Sequence, residues 1–251
     1  MRGSAAMLHV GTSGWSYRHW SGGVFYPEKM KQGDWLAYFM TRFDTVEINM
    51  SFYRLPGEAM IRRWEAMAPK GFHYAVKMWR MITHRKLLRD SGDLIGRFMG
   101  VVGGLGAHRG PLLVQLPPRL DLDLDRLDGF LTELKSIIGR AHWRIAVEFR
   151  NPAWLVPETA DLLTRHHAAL VLHDMAGSEA IEPNAADFVY IRRHGAAGRY
   201  AGEYGEEQLE TEARDIRSWL GEGRDVWIYY NNDAAGAAVR NALRLKQLLG
   251  A

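Results

Sequence analysis

Eight short strand-like runs, separated by segments with helical spacing, constrain the fold of this 251-residue chain more than any other feature. In most runs one alternating face is bulky and apolar, as expected when that face packs on helices. The runs are Leu8–Ser13, Thr45–Ser51, Phe72–Lys77, Leu112–Leu116, Arg144–Arg150, Ala169–Asp174, Phe188–His194 and Val226–Asn232. Strands that alternate with helices predict parallel strands joined by crossovers.

The number and spacing of these units predict one fold class. Eight units in about 240 residues match a (β/α)8 barrel, so we predict a single α/β TIM-type barrel domain over residues 8–251. An open doubly wound sheet is the alternative. Segment Met175–Asp187 has little periodicity and predicts an irregular segment in place of the sixth helix. The other helical segments are Asp34–Phe43, Glu58–Met67, a short or broken His84–Val102, Leu122–Ile138, Glu158–His167, Glu206–Leu220 and Ala234–Leu249.

Composition excludes several classes of protein. Hydrophobic residues make up 47% of the chain, and the formal charge is only +3, so electrostatics argue weakly for a nucleic-acid partner. The chain has no cysteine, which excludes disulfides and thiolate chemistry. No apolar run has the length of a membrane span, and we expect a cytoplasmic protein without membrane contact. Residues 1–7 are interpreted as a disordered or vector-derived terminus, with a natural terminus as the alternative.

Polar and charged residues recur where the predicted strands end. Because alternate side chains of a strand share a face, and parallel strands end at one edge, we expect these residues to line the C-terminal mouth of the barrel. They are Glu47, Asn49, Lys77, Gln115, Glu148, Arg150, Arg192, His194 and Asn231.

Two carboxylates in this set, Glu47 and Glu148, are candidates for acid and base, and Lys77 completes the predicted catalytic residues. A pair of carboxylates can move protons between adjacent carbons or act on a glycosidic bond. A buried carboxylate is costly unless it is paired. The alternative interpretation is therefore a structural salt bridge, for example from Glu47 to Lys77 or Arg150.

The cations at the strand ends indicate an anionic ligand. Lys77, Arg150 and Arg192 would reach one rim, where the planar fork of arginine suits phosphate or carboxylate. The same cations could instead be neutralised internally by the carboxylates. Ligand-binding roles are further predicted for polar and aromatic residues that would orient hydroxyls or stack on a ring: Asn49, Gln115, His194, Asn231, Trp15, Tyr17 and Tyr53.

Other recognisable sites find little support. The aromatic loop after the first strand could equally be a packed cap. The ten histidines form no H-E-x-x-H pair or other ligand spacing, so we predict no metal and no cofactor.

Short motifs stand in order along almost the whole chain. They are Gly11–Tyr17 with Trp20 and Phe25–Pro27, Val46–Asn49 with Ser51–Tyr53, Ala75–Lys77, Gln115–Pro118, Glu148–Arg150 with Pro152 and Trp154, and Tyr230–Asn232. In these motifs the chain resembles the YecE-like proteins, also called domain of unknown function 72. The resemblance implies a TIM-type barrel loosely similar to sugar isomerases and to the endonuclease IV barrel. The chain departs from the pattern at Asn151, where many relatives carry histidine, and it lacks the dense ligand set of those metal-dependent barrels.

These observations predict a barrel that acts on a small polyhydroxylated anionic ligand, such as a sugar phosphate, by carboxylate acid–base chemistry. The sequence does not establish that the protein is an enzyme. If it is one, we expect an activity like that of a sugar isomerase or a hydrolase. One alternative is a glycoside hydrolase that uses Glu47 and Glu148. Another is a noncatalytic nucleic-acid-binding barrel that uses Arg192 and Arg193.

Overall fold

The structure, a computed structural model, describes residues 5–141, 143–175, 182–196 and 200–251. Eight strands alternate with helices along the chain, and their order in the sheet is β1-β8-β7-β6-β5-β4-β3-β2. This confirms the predicted (β/α)8 TIM-type fold. The strands are β1 Leu8–Thr12, β2 Thr45–Ile48, β3 His73–Lys77, β4 Arg109–Gln115, β5 Ile145–Glu148, β6 Ala168–His173, β7 Phe188–Arg193 and β8 Asp225–Tyr230.

The described helices follow most of the predicted segments. They are α1 Trp35–Met40, α2 Met50–Tyr53, α3 Glu58–Met67, α4 Gly92–Val102, α5 Leu124–Ile138, α6 Pro157–Arg165, α7 Glu206–Gly221 and α8 Ala237–Leu249. The predicted break in the third helical segment is real, because a π-helix at Met81–Arg85 precedes α4. Among the described residues, no helix combines the length and apolarity needed to cross a membrane.

The chain divides into two compact units. The first unit comprises Met1–Glu47, Leu172–Ile181 and Asp187–Ala251, and the second comprises Ile48–Val171 and Glu182–Ala186. The single domain that the sequence predicts over residues 8–251 stays a prediction.

Three parallel strands form the sheet of the first unit, with β8 paired to both β1 and β7. Buried side chains such as Val10, Ile228 and Val239 form part of its core. Gly11 lies so close to the backbone of β2 that an added Cβ would be 2.3 Å from the carbonyl oxygen of Thr45. Only glycine fits at this position of β1.

The second unit contains the continuous ladder β3-β4-β5-β6. Asn184 supports the end of this ladder, since its side chain accepts a hydrogen bond from Leu170 N and donates one to Ala168 O, at 2.8 and 2.9 Å. Leu113, Val147 and Leu131 are among the fully buried core residues. The ladder holds the ends of three strands in fixed register.

Several predicted strands extend too far at their C-terminal ends. The prediction of a strand to Ser51 is wrong, because α2 begins at Met50. Asn49, Arg150, His194 and Asn231 likewise follow their strands instead of lying within them. Residues 176–181 of the segment predicted in place of the sixth helix lie outside the described residues.

Candidate functional site

In the second unit, β4 and β5 end side by side, with Gln115 opposite Glu148. Neighbouring residues in register on parallel strands point to the same face of the sheet, so the amide and the carboxylate share that face. Glu148 is fully buried and Gln115 is half-buried. Among the described residues, the Gln115 side chain makes no hydrogen bond.

Glu148 is paired with Arg150 in a largely buried ion pair. The Arg150 Nη2 atom lies 2.5 Å from Glu148 Oε1, and the two side chains are 9% and 0% exposed. Arg150 lies in the loop after β5, yet its guanidinium returns to the strand end. A cation thus sits against a carboxylate that shares a sheet face with Gln115.

Lys77 ends β3 and contacts two residues of α2. Its Nζ atom lies 4.3 Å from the centroid of the Phe52 ring, a cation–π contact, and its carbonyl oxygen accepts a 2.6 Å hydrogen bond from the Ser51 hydroxyl. Beside it, the buried Oδ1 atom of Asn49 has no hydrogen-bond partner among the described residues. An unsatisfied amide oxygen of this kind is ready to accept a ligand hydroxyl.

A concentration of positive charge surrounds His84 in the same unit. Burial first, and then the charges of Lys77, Arg119, Arg150 and Arg80, lower the pKa of His84 from 6.5 to about 4. The imidazole is therefore neutral at pH 7, and four cations lie near enough to act on it.

Sequence reasoning missed His84, Arg80 and Arg119 as candidates. The signal was present, because Arg80 follows β3 and Arg119 follows β4, both at C-terminal strand ends. The charged stretch after β3 instead resembled the start of an ordinary helix.

In the first unit, the carboxylate of Glu47 accepts four hydrogen bonds. Arg192 donates from Nε to Oε2 at 3.0 Å and from Nη2 to Oε1 at 2.8 Å. Ser13 Oγ donates to Oε1 at 2.8 Å, and the Tyr190 hydroxyl donates to Oε2 at 2.7 Å. A carboxylate offers about four acceptor positions, so these donors saturate Glu47. The salt-bridge interpretation thus holds for Glu47, with Arg192 as partner.

The surroundings of Glu47 are closed to water. Glu47, Tyr190 and Arg192 are at most 1% exposed. Burial, followed by the negative charge of Glu47, raises the pKa of Tyr190 well above its ordinary value. The Tyr190 hydroxyl therefore stays protonated and remains a donor to the carboxylate.

His194 and Asn231 are neighbours beyond the ends of β7 and β8. The Asn231 Nδ2 atom lies 3.2 Å from His194 Nδ1, and the backbone N–H of His194 donates to Asp174 Oδ1 at 2.7 Å. The adjacent Arg193 faces the other way and forms a bidentate pair with Glu212 of α7. The Arg193 guanidinium is therefore already paired with a carboxylate, which counts against the nucleic-acid-binding role suggested for it.

The predicted aromatic residues fall in two environments. Tyr17 packs its ring 4.6 Å from that of Trp20 and donates its hydroxyl to the Ser13 carbonyl oxygen, while the Trp15 carbonyl oxygen accepts from the Tyr26 hydroxyl. These contacts fit the packed-cap interpretation of the loop after β1. Tyr53, in the second unit, is 64% exposed, and its ring contacts that of Phe52 edge to face at 5.0 Å.

The structure thus gathers the predicted residues into groups within each unit, and the single shared mouth stays a prediction. The first unit contains Glu47 with Arg192, and His194 with Asn231. The second contains Glu148 with Arg150 and Gln115, and Lys77 near α2. In the described ranges, no group of three or more histidine, aspartate or glutamate side chains is arranged to hold a metal ion.

Comparisons of this chain with known proteins agree on one family. The sequence pattern of the family described as "Protein of unknown function DUF72" matches residues 9–251. The UPF0759 protein YunF of Bacillus subtilis is 24% identical over 274 residues, which cover 97% of this chain and 95% of YunF.

Solved structures share the fold. A DUF72 family protein from Thermotoga maritima superposes with a TM-score of 0.83 and 28% identity, covering 98% of this chain and 100% of the other. D-Psicose 3-epimerase with D-tagatose, from Clostridium cellulolyticum H10, superposes with a TM-score of 0.58 and 12% identity, covering 96% and 98%. At that identity the second likeness shows the fold alone.

Proposed function

Because the chain belongs to the DUF72 family, whose description assigns no activity, we propose its function from its own side chains: the strand ends of the second unit bind a small polyhydroxylated molecule that carries a phosphate-like group. Glu148 acts as the general base that moves a proton on this ligand. The cations Lys77 and Arg150 bind the negatively charged group of the ligand, and Asn49 and Gln115 orient its hydroxyls.

The observation that carries this proposal is the gathering of Lys77, Arg80, Arg119 and Arg150 around His84. Four cations lower its pKa, and two of them, Lys77 and Arg150, belong to strand ends or the loop directly after one. A ligand that enters such a field gains most if it is an anion. The buried Oδ1 of Asn49, without a partner among the described residues, adds an acceptor suited to a hydroxyl.

The chemistry that fits these groups is proton transfer beside a carbonyl. The Glu148 carboxylate would take a proton from the carbon next to the carbonyl, and the electron pair of the broken C–H bond would form an enediolate. Lys77 would stabilise the negative oxygen. Return of the proton to the opposite face of the same carbon would complete an epimerisation. Its transfer to the former carbonyl carbon, while the hydroxyl proton of the first carbon passes to the former carbonyl oxygen, would complete an isomerisation. No electrons leave the ligand, so no oxidant is needed.

The proposal gives Glu47 a supporting role. Its acceptor positions are filled by Arg192, Tyr190 and Ser13, so it is poorly suited to take a proton. This weakens the glycoside-hydrolase alternative, which needs two working carboxylates.

The test combines binding and hydrogen exchange. Calorimetry with glucose 6-phosphate, glucose and inorganic phosphate should show binding of both phosphates, and Lys77→Met should weaken phosphate binding about tenfold, the loss of one charge-assisted contact. Lys70→Met, at an exposed position of the same unit, is the matched control. NMR in D2O should show exchange of the ligand hydrogen beside the carbonyl, and Glu148→Gln should abolish it. Equal binding by both lysine variants, or exchange that persists without Glu148, would overturn the proposal.

A further inference from the structure

The second unit contains a cavity of about 410 Å³, formed by the segments that follow β3 and β4. Its lining residues are Phe52, Arg80, His84, Arg85, Pro117, Pro118 and Arg119. Three arginines and a histidine thus converge on one cavity, bounded by a phenyl ring and two prolines. We infer that this cavity is an oxyanion-binding subsite for the phosphate group of a small phosphomonoester, with Arg80, Arg85 and Arg119 as its cationic ligands.

The charges of these arginines are not neutralised by partner carboxylates. In the described part of the chain, Arg80, Arg85 and Arg119 form no ion pair. Like charges gathered in one place repel each other, and a surface that only needed solubility would intersperse carboxylates. A bound dianion would remove this repulsion, and arginine is the side chain best shaped to hold phosphate through two parallel hydrogen bonds.

The backbone positions two of the arginines and the histidine together. Arg80 immediately precedes the π-helix Met81–Arg85, which contains His84 and Arg85. The wide i→i+5 turn brings both the fourth and the fifth residue after Arg80 back towards its side, which an α-helix would not do for both. Such turns are rare and occur frequently at functional sites.

The segment that follows the π-helix is strained. Leu87, Leu88 and Asp90 have positive φ angles of 50°, 70° and 42°, a region that favours glycine. Residues held in this region are strained, and strain of this kind clusters at ligand clamps. The strained residues directly follow the π-helix that contains His84 and Arg85.

His84 and Arg119 are fixed in place at the cavity. The guanidinium of Arg119 donates to the His84 carbonyl oxygen. His84 Nδ1 lies 2.8 Å from the Thr83 hydroxyl, and its Nε2 atom has no hydrogen bond among the described residues. The Phe52 ring meets the imidazole edge to face at 4.8 Å. Nε2 is thus the imidazole atom available to a ligand oxygen, as a donor when it carries the proton.

This subsite extends the proposed function and rests on it only for the sugar part of the ligand. Lys77 links the two regions, since its ammonium contacts Phe52, which also lines the cavity. Phosphate binding in the cavity does not require that Glu148 turn over any substrate.

The experiment uses the full chain and inorganic phosphate as the probe, with calorimetry as the first readout. Arg80→Gln and Arg119→Gln should each weaken phosphate binding about tenfold, as expected for loss of one charge-assisted contact. Arg63→Gln, an exposed arginine of α3, is the matched control and should leave the affinity unchanged. Arg119→Lys keeps the charge without the fork and should recover only part of the affinity. Thermal unfolding identifies any variant that fails to fold, and Arg85→Gln then takes its place.

The second readout is the titration of His84 by NMR. Bound phosphate cancels the surrounding positive charge, so the pKa of His84 should rise from about 4 towards 6.5 when phosphate is added. Phosphate binding that Lys77→Met weakens but the three arginine variants do not would overturn the subsite and leave the proposed function standing. Binding that depends on the arginines, without hydrogen exchange by Glu148, would support the subsite and count against the proposed chemistry. Absence of phosphate binding would overturn both.

Discussion

The guanidinium of Arg192 donates two hydrogen bonds to the carboxylate of Glu47, from Nε at 3.0 Å and from Nη2 at 2.8 Å. Both side chains are at most 1% exposed, so this is a buried bidentate pair. Removal of one partner of such a pair leaves an uncompensated buried charge. Their main contribution is therefore to stability and to the position of Arg192.

The substitution Glu47→Gln should lower the free energy of unfolding by about 3–5 kcal/mol, because the charge of Arg192 would remain buried without its counterion. Urea denaturation measures this change. The control is Glu58→Gln, which removes an exposed pair with Arg62 and should cost only about 0.3–0.5 kcal/mol. The double substitution Glu47→Leu with Arg192→Met should recover part of the loss. If Glu47→Gln cost as little free energy of unfolding as the control, the pair of Glu47 with Arg192 would not contribute to stability as proposed.

His84 should make stability depend on pH in a defined window. The pKa of His84 is about 4 in the folded state, and its ordinary value of 6.5 applies to the unfolded state. Between pH 4 and 6.5 the unfolded state therefore binds more protons than the folded state does. Stability conferred by the neutral imidazole is therefore complete above about pH 6.5 and declines as the pH falls towards 4. The measurement is the difference in unfolding free energy between the protein and His84→Gln across this range. A difference independent of pH would contradict the positive environment assigned to His84.

Gly11 and Gly129 should respond in opposite directions to alanine. Gly11→Ala would drive a Cβ to 2.3 Å from the Thr45 carbonyl oxygen and should destabilise by at least about 1–3 kcal/mol. Gly129 lies inside α5 with open space around it, so Gly129→Ala should stabilise by about 0.5–1 kcal/mol. Thermal or urea denaturation of both variants tests this. A neutral Gly11→Ala would mean that β1 and β2 can separate at little cost.

The fold could be predicted from the chain because each strand carries its own apolar alternation. The strand ends could not, as β2 illustrates. Asn49-Met50-Ser51 continues the alternating pattern, but the Ser51 hydroxyl bonds to the carbonyl oxygen of Lys77, a residue 26 positions away. That tertiary contact accompanies the turn into α2. A contact between residues so far apart cannot be predicted from the local sequence pattern.

The site residues stay a prediction, but residue type alone indicates one feature of their surroundings. A carboxylate in an apolar strand must find a counterion, and Glu47 and Glu148 both do so. Which cation pairs with which carboxylate depends on rotamers and loops, and the sequence suggested Lys77 or Arg150 for Glu47 instead of Arg192. Arg80, His84 and Arg119 were missed because basic residues after a strand are also common at the exposed start of an ordinary helix.

The left-handed residues after the π-helix have a consequence for directed evolution. The substitution Asp90→Gly, at an exposed position, would relieve backbone strain of roughly 1–2 kcal/mol, while adding flexibility to the connection between β3 and β4. A library built on such a stabilised parent would tolerate more varied side chains at its neighbours. Changes in ligand preference should therefore arise first in this connection, where new chemistry can be sampled without disturbing the strands.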